Sequence, residues 1–343
     1  MKKNTNILVT GAGGYIGSML VPFLLKSNYN VTAIDRFFFG NYLKKNKRLT
    51  IFNQDIRNLD IKFFKNIDVV IDLAAISNDP SGEIFKKETF EINHISRVEN
   101  AKKAKRMGVK KYLLPSSCSN YGRIRKNQIA TEDFKLNPLT NYSKANSYAE
   151  EGILNLNTNN FQTTVFRQGT LFGHSPRLRL DLAINGMTYG IFKNNTLPVM
   201  RDGTQRRPML HIKDAISAMK FFIKHDQNIG GQVFNIGSPE NNYSINDLVN
   251  IFKKTMKKNF KLEWYGSPDK RSYFVSFDKI QDLGFYAKYN AYDGIKELLK
   301  YFQLCKFEKS DKNITLKWYL ELEKWNNIIR QCSIKSSIIS NFK

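Results

Sequence analysis

The stretch "VTGAGGYIGSML" spaces Gly11, Gly14 and Gly17 three residues apart, between an apolar run and a longer amphipathic one. Glycines in that pattern permit a tight turn and let backbone come close to a phosphate. The N-terminus of a following helix then supplies N–H donors to a pyrophosphate. Asp35 closes the next apolar run, eighteen residues past Gly17. A carboxylate there can grip the hydroxyls of an adenosine ribose and repel a 2′-phosphate, which favours NAD over NADP. Tyr15 and Ile16 inside the loop, and Arg36 directly after the acid, count with it as cofactor contacts. "NQDIRN" sets Asp55 and Ile56 after a third apolar run, where a carboxylate and an amide can meet an adenine; a plain strand-terminal aspartate is an equal reading. "LAAIS" ends a fourth run with small residues, so that Leu73, Ala74 and Ala75 bring backbone to where ligands bind in such sheets.

These residues need a scaffold, and the chain spells one. "NILVT" (6–10), "VTAID" (31–35), "LTIFN" (49–53), "DVVIDLA" (68–74), "KYLLPSS" (111–117) and "TTVFRQG" (163–169) have strand length. Helical stretches fall near 15–26, 91–107 and 142–156. Strands that are apolar throughout and separated by helices predict an α/β fold with a doubly wound parallel sheet of Rossmann type, covered on both faces. After about Gly173 the rhythm breaks into a loop-rich, arginine-bearing stretch, and "GGQVFNIG" (230–237) returns to strand character. The expected division is a dinucleotide-binding domain over 1–173, rejoined by about 208–237. A smaller substrate-binding lobe would come from 174–207 and 238–343. The lobe reads as mostly helical, with "RSYFVSF" (271–277) as a strand.

At 343 residues, two lobes fit better than one core. No apolar run is long enough to span a bilayer. The basic start "MKKNTNILVTG" runs straight into the glycine loop and is not expected to be a signal peptide. Three scattered cysteines, Cys118, Cys305 and Cys332, lack metal spacing, so no metal is expected and a reduced cytoplasmic protein is. The net charge of +24 attracts polyanions. Lysines are spread along the whole chain, without arginine-rich arms, zinc spacings or aromatic RNA-binding signatures. The charge therefore reads as solvated lysine faces, with an anionic small substrate as a further reason, and nucleic acid as a poor fit.

Taken in order, "TGAGGYIG", Asp35, "LAAIS", "SSCSNYG" (116–122), "NPLTNYSKANSYAEE", "RQGTLFG" (167–173), "DGTQRRPMLHIKDA" and "GQVFNIGS" resemble the extended short-chain dehydrogenase/reductase family. The likeness is to its NAD-dependent nucleotide-sugar epimerases and dehydratases, and covers about residues 5–300. "SPRLRLDLAIN" with "DKRSYFVSF" resembles a branch acting on bacterial surface sugars. The resemblance implies oxidation of a nucleotide-linked sugar to a keto-sugar, with reduction from the opposite face in an epimerase. Tyr142 matches the tyrosine that removes the hydroxyl proton, and Ser117 the residue that hydrogen-bonds the reacting oxygen. Asn93 joins the implied cofactor contacts. Cys118, Ser119, Thr170 and Asn185 join the implied substrate contacts, with Thr170 standing where many relatives carry asparagine. Arg207 matches a position that contacts the diphosphate, while Arg271 and Arg177 offer further forked cations. Relatives commonly pair as homodimers.

Two departures bear on mechanism. The 4,6-dehydratases carry an Asp-Glu pair where this chain has Cys118-Ser119, which argues against dehydration. The lysine expected one helical turn after the tyrosine is replaced by Asn146. Lys144 lies only two positions on, roughly 200° around a helix, and should point away from Tyr142. A free tyrosine has a pKa of about 10, so acting as a base near neutrality asks for about three units, roughly 4 kcal/mol. Asn146 can hydrogen-bond a ribose but brings no charge, so chemistry that survives yet is impaired at neutral pH is expected. The alternatives are a 4-dehydrogenase or ketoreductase that does not epimerise, or a non-catalytic dinucleotide- or RNA-binding protein on the same fold.

Overall fold

The computed structural model describes residues 5–332 apart from 226, 228, 257 and 258. Six strands and five helices make up its first half. They are β1 (Asn6–Thr10), α1 (Gly17–Lys26), β2 (Asn30–Asp35), β3 (Leu49–Asn53), β4 (Val69–Asp72), α2 (Asp79–Ile84), α3 (Lys86–Phe90), α4 (Arg97–Arg106), β5 (Lys111–Ser117), α5 (Asn141–Leu154) and β6 (Gln162–Gln168). A strand at Gln232–Ile236 pairs with β6, and the sheet runs in the order Gln232–Ile236, β6, β5, β4, β1, β2, β3. Every pairing is parallel.

The inner strands are buried because both faces are covered, while the edge strand β3 stays largely exposed. Side chains alternate across a strand, so β1 sends Ile7 and Val9 into one core and Leu8 into the other. The first core is closed by Leu20, Val21 and Leu24 of α1 and by Met219 and Phe222 of the helix Ile212–Lys224. The second is closed by Ala101 and Ala104 of α4 and by Ala149 and Ile153 of α5. The chain leaves β1 toward β2 on one side and reaches β4 on the other, which opens a crevice at the strand carboxyl ends.

A separate core holds the second half together, from the helices Ala183–Asn194, Ile245–Met256 and Ala291–Leu304 with Phe172, Leu197 and Val199. The expected strand at 271–277 does not form. Ser272 and Val275 make only isolated bridges to Arg123 and Ala130, because an irregular loop, not a strand, lies alongside. The helix Thr315–Cys332 returns to the first half, where Trp318 Nε1 donates to the Phe38 carbonyl at 2.6 Å and Tyr319 meets Phe39 and Phe85 edge-on. Among the described residues no helix is long and apolar enough to cross a membrane.

Candidate active site

The crevice widens into a cleft of about 1440 Å³ between the sheet and the second half of the chain. The glycine loop forms its floor. Gly11 has φ +64°, and a Cβ there would lie 2.6 Å from the Leu73 carbonyl carbon, so a side chain fits neither backbone nor space. A Cβ on Gly17 would lie 2.6 Å from Ala12 Cα, which explains glycine where α1 starts against the loop. Asp35, at the end of β2, accepts from the Gly13 amide at 3.0 Å and from the Phe37 amide at 2.5 Å. Burial pushes its carboxyl up, against these two amides and the charge of Arg177. Asp55 lines the cleft with Ile56, but both its oxygens accept from Arg57, at 2.9 Å from the backbone amide and 2.7 Å from Nη2. Burial alone would raise its carboxyl; the Arg57 bonds outweigh that and hold it low.

β4 ends at Asp72, and Leu73, Ala74 and Ala75 continue along the cleft wall. A π-helical turn, Glu91–Ser96, faces them. Such turns are frequent at functional sites because they re-aim one side chain. Here the side chain is Asn93, whose amide accepts from the Ile76 amide and donates to the Ile76 carbonyl, both at 2.9 Å. Asn93 is thus a clamp on the loop after β4, outside the cleft lining.

α5 carries the tyrosine. Thr140 caps it through a capping box with Ser143, which fixes where the helix starts. Tyr142 then faces the cleft, Asn146 is 1% exposed on the packed face, and Lys144 is exposed to solvent. The i to i+4 geometry is as expected. Further along, the Glu150 carboxylate meets Arg167 of β6 at 2.8 Å and accepts from Ser116 and Asn120, tying α5 to the strands beneath. Burial raises the Tyr142 phenol, and the Asp79 carboxylate adds to that; Arg97, the Asn146 amide and Arg179 pull the other way. Ser117 ends β5 on the cleft wall, where its hydroxyl caps the Ser119 amide at 3.1 Å. Ser119 also lines the cleft, and its buried hydroxyl has no hydrogen-bond partner.

Across the cleft, Asp269 accepts from Arg207 Nη2 at 2.8 Å and from Arg271 Nη2 at 2.7 Å, so one carboxylate holds two arginines. Arg271 also pairs with Asp79 at the start of α2, joining the two halves of the chain over the tyrosine. Thr170 lines the same end. Arg179 is paired with Asp181 at 2.7 Å.

Several expected residues fall elsewhere. Cys118 is packed in the core, with Sγ donating to the Arg167 carbonyl at 3.3 Å, because the turn after β5 directs it behind the sheet. Asn185 is fully buried, accepting from the Gly173 amide at 2.9 Å and donating to the Arg179 carbonyl at 2.9 Å, so it holds loops together outside the lining. Asn146 lies just behind the lining. Arg177, expected on the substrate wall, lies at the Asp35 end, 3.8 Å over the Phe39 ring and bonded to Thr315 at 2.9 Å. His211, never a site candidate, is internal as a lone histidine usually is, with Nε2 meeting Glu297 at 2.9 Å.

The residues that sequence reasoning passed over are Arg97, Asp79, Asp269 and Tyr319, all of which line the cleft. Arg97 had a signal. With Asn93, Asn100, Ala101 and Ala104 it occupies one helical face that the sheet buries, and an arginine on a buried face needs a reason. Tyr319 had none, since its helix reaches the cleft only through tertiary packing.

The residues present fit a dinucleotide. The glycine floor leaves room for backbone approach, Asp35 closes the adenosine end, and the buried Asn146 Nδ2 has no partner, as a donor awaiting a ribose hydroxyl would. The model of the NAD dependent epimerase/dehydratase family matches residues 7–237. The UDP-glucose 4-epimerase of Bacillus subtilis is 26% identical over 286 residues, covering 74% of this chain and 82% of that one. The UDP-glucuronate 4-epimerase of Thermodesulfobacterium geofontis is 27% identical over 275 residues, covering 75% and 82%. The crystal structure of UDP-glucuronic acid 4-epimerase from Bacillus cereus, in complex with UDP-glucuronic acid and NAD, superposes with a TM-score of 0.78 at 27% identity, over 88% of this chain and all of that one.

Proposed function

Because the chain belongs to the NAD dependent epimerase/dehydratase family, we propose that it is an NAD-dependent oxidoreductase that epimerises a nucleotide-linked sugar through a keto-sugar. The observation that carries this reading is that Tyr142 of α5 and Ser117 at the end of β5 line the same cleft as the glycine loop after β1 and Asp35 at the end of β2. NAD, when bound, supplies the acceptor for the sugar's hydride. Gly11, Gly14 and Gly17 make room for its pyrophosphate, Asp35 holds the adenosine ribose, and Asn146 Nδ2 offers a donor to the other ribose. Ser117 orients the sugar hydroxyl and Tyr142 takes its proton, then returns it once the keto-sugar has been reduced from the other face. Arg207 and Arg271 exchange Asp269 for the diphosphate.

Epimerisation is preferred to dehydration because no carboxylate stands where the acid pair would be needed. Cys118 there is buried in the core with its thiol pushed up by that burial, so it stays protonated. A role in making bacterial surface-polysaccharide precursors rests on the likeness of "SPRLRLDLAIN" and "DKRSYFVSF" alone. The test is a panel of nucleoside-diphosphate sugars incubated with protein and NAD, followed by NADH absorbance and by chromatography of the sugar nucleotides. A 4-epimer forming without net NADH is expected. A 4-keto-6-deoxy product, or no change in any sugar nucleotide, would overturn the reading.

A further inference from the structure

Arg97 is 2% exposed, yet it lines the cleft. Its Nε donates to the Ala74 carbonyl at 3.1 Å, and its Nη1 donates to Asn146 Oδ1 at 3.0 Å. A guanidinium stays ionised in a protein, and burying it is costly without an opposite charge at close range. The facing carboxylate is Asp72, whose Oδ2 lies 3.9 Å from Nε, beyond hydrogen-bond reach. Asp72 accepts instead from Thr10 at 2.5 Å and from Tyr112 at 2.6 Å. Arg97 thus faces Asp72 without a hydrogen bond to it, and its forward Nη1 is bonded to a neutral amide one turn from Tyr142.

The charged groups bearing on Tyr142 come from three elements: Asp79 of α2, Arg97 of α4, and Arg179 from the segment before the helix Ala183–Asn194. Asp79 is paired with Arg271, and Arg179 with Asp181 at 2.7 Å. Of the three, Arg97 is the one whose counter-charge, Asp72 at 3.9 Å, is not hydrogen-bonded to it. It also fixes the amide. Arginine can only donate, so Asn146 must turn Oδ1 toward Arg97 and leave Nδ2, which has no partner, as a donor on the other side.

We propose that Arg97 takes the part of the absent lysine: it supplies, through and beside Asn146, the positive charge that favours the Tyr142 phenolate, and it sets the direction of the Asn146 amide. Arg97 is then a positioning residue, and the cation and the ribose donor, one group in a lysine, are divided between two side chains. This rests on Tyr142 being the proton-transferring tyrosine.

The test reads Tyr142 directly, without cofactor or sugar. A difluorotyrosine placed at 142 reports its own ionisation by fluorine NMR. Arg97→Gln should raise its pKa by roughly one unit or more, and Arg97→Lys should keep it within about half a unit of the parent. An unchanged value in folded Arg97→Gln overturns the proposal. Should that variant not fold, Arg97→Gln combined with Asn146→Lys carries the test. A cation moved from 97 to 146 leaves the titration close to the parent, whereas a fall of about a unit or more means that position 97 contributed nothing. The family reaction is judged separately. Turnover by Tyr142→Phe defeats that reading whatever the fluorine shows, and a dead Tyr142→Phe with an Arg97-independent titration defeats this inference alone.

Discussion

The backbone amide of Gly13 donates to Asp35 Oδ2 at 3.0 Å, so the glycine loop after β1 and the acid that ends β2 are one unit. Asp35→Asn keeps an acceptor for that amide and removes the charge, which separates the two roles of the residue. By calorimetry the parent should prefer NAD to NADP, and Asp35→Asn should reduce the preference about tenfold or more, through loss of repulsion against a 2′-phosphate. Equal or tighter NADP binding by the parent would sink the assignment of Asp35.

Much of this end of the molecule was legible because it is local. β1, β3 and β5 begin and end where their apolar runs do, and a parallel sheet leaves no face on which polar residues must alternate. The face of α5 that holds Asn146 and excludes Lys144 follows from helical periodicity alone. What the sequence hid was set by tertiary packing. "RSYFVSF" has strand composition, but its neighbour is an irregular loop, so only single bridges form. Arg177 reads as a substrate arginine until tertiary packing sets it between Phe39, after β2, and Thr315, at the start of the helix Thr315–Cys332. Asp269 was passed over beside Arg271 because a carboxylate next to an arginine reads as a local pair, and its hold on Arg207 crosses 62 residues.

Arg207 sits 4.9 Å over the Tyr273 ring and shares Asp269 with Arg271. A diphosphate offers these forks stronger acceptors than one carboxylate does. Arg207→Ala should therefore raise the KM for an accepted nucleotide sugar by about tenfold or more while NAD affinity is nearly unchanged, since a lost charged hydrogen bond costs on the order of 2 kcal/mol. Steady-state kinetics and cofactor titration on the same preparation check it. Equal losses in both would mean that Arg207 holds the fold and not the diphosphate.

Asp181 carries a pH signature. Burial alone would raise its carboxyl, but the charge and paired bonds of Arg179 outweigh that and hold it at about 2, from an ordinary 3.8. A carboxyl lower in the folded chain than in the unfolded one stabilises the fold fully above about 3.8. That contribution is lost as pH falls toward about 2. Asp181→Asn should thus unfold more easily at neutral pH, by about 3 kcal/mol, because Arg179 is left buried without its partner. Its stability should also fall less steeply than the parent's between those two pH values. Denaturant unfolding at a series of pH values reads both, and coincident curves would show that the pair contributes nothing.

The pH dependence of turnover tests the chemistry itself. Tyr142 acts as a base only when ionised, so the rate should rise with pH through its pKa in the cofactor complex. Burial raises that phenol and Asp79 adds to it, while Arg97 and the Asn146 amide offset only part of the rise. The acidic limb is expected on the alkaline side of neutral. Lys144 is exposed on the far face of α5, so Lys144→Ala should leave the profile in place. Asn146→Lys adds a cation one turn from Tyr142 and should move the limb down by roughly one unit or more. Tyr142→Phe should abolish turnover and spare NAD binding. Loss of activity in Lys144→Ala, with an unmoved profile in Asn146→Lys, would make Lys144 the partner despite its exposure. That result would require α5 to turn by about half a revolution, and Asn146 could no longer reach Arg97.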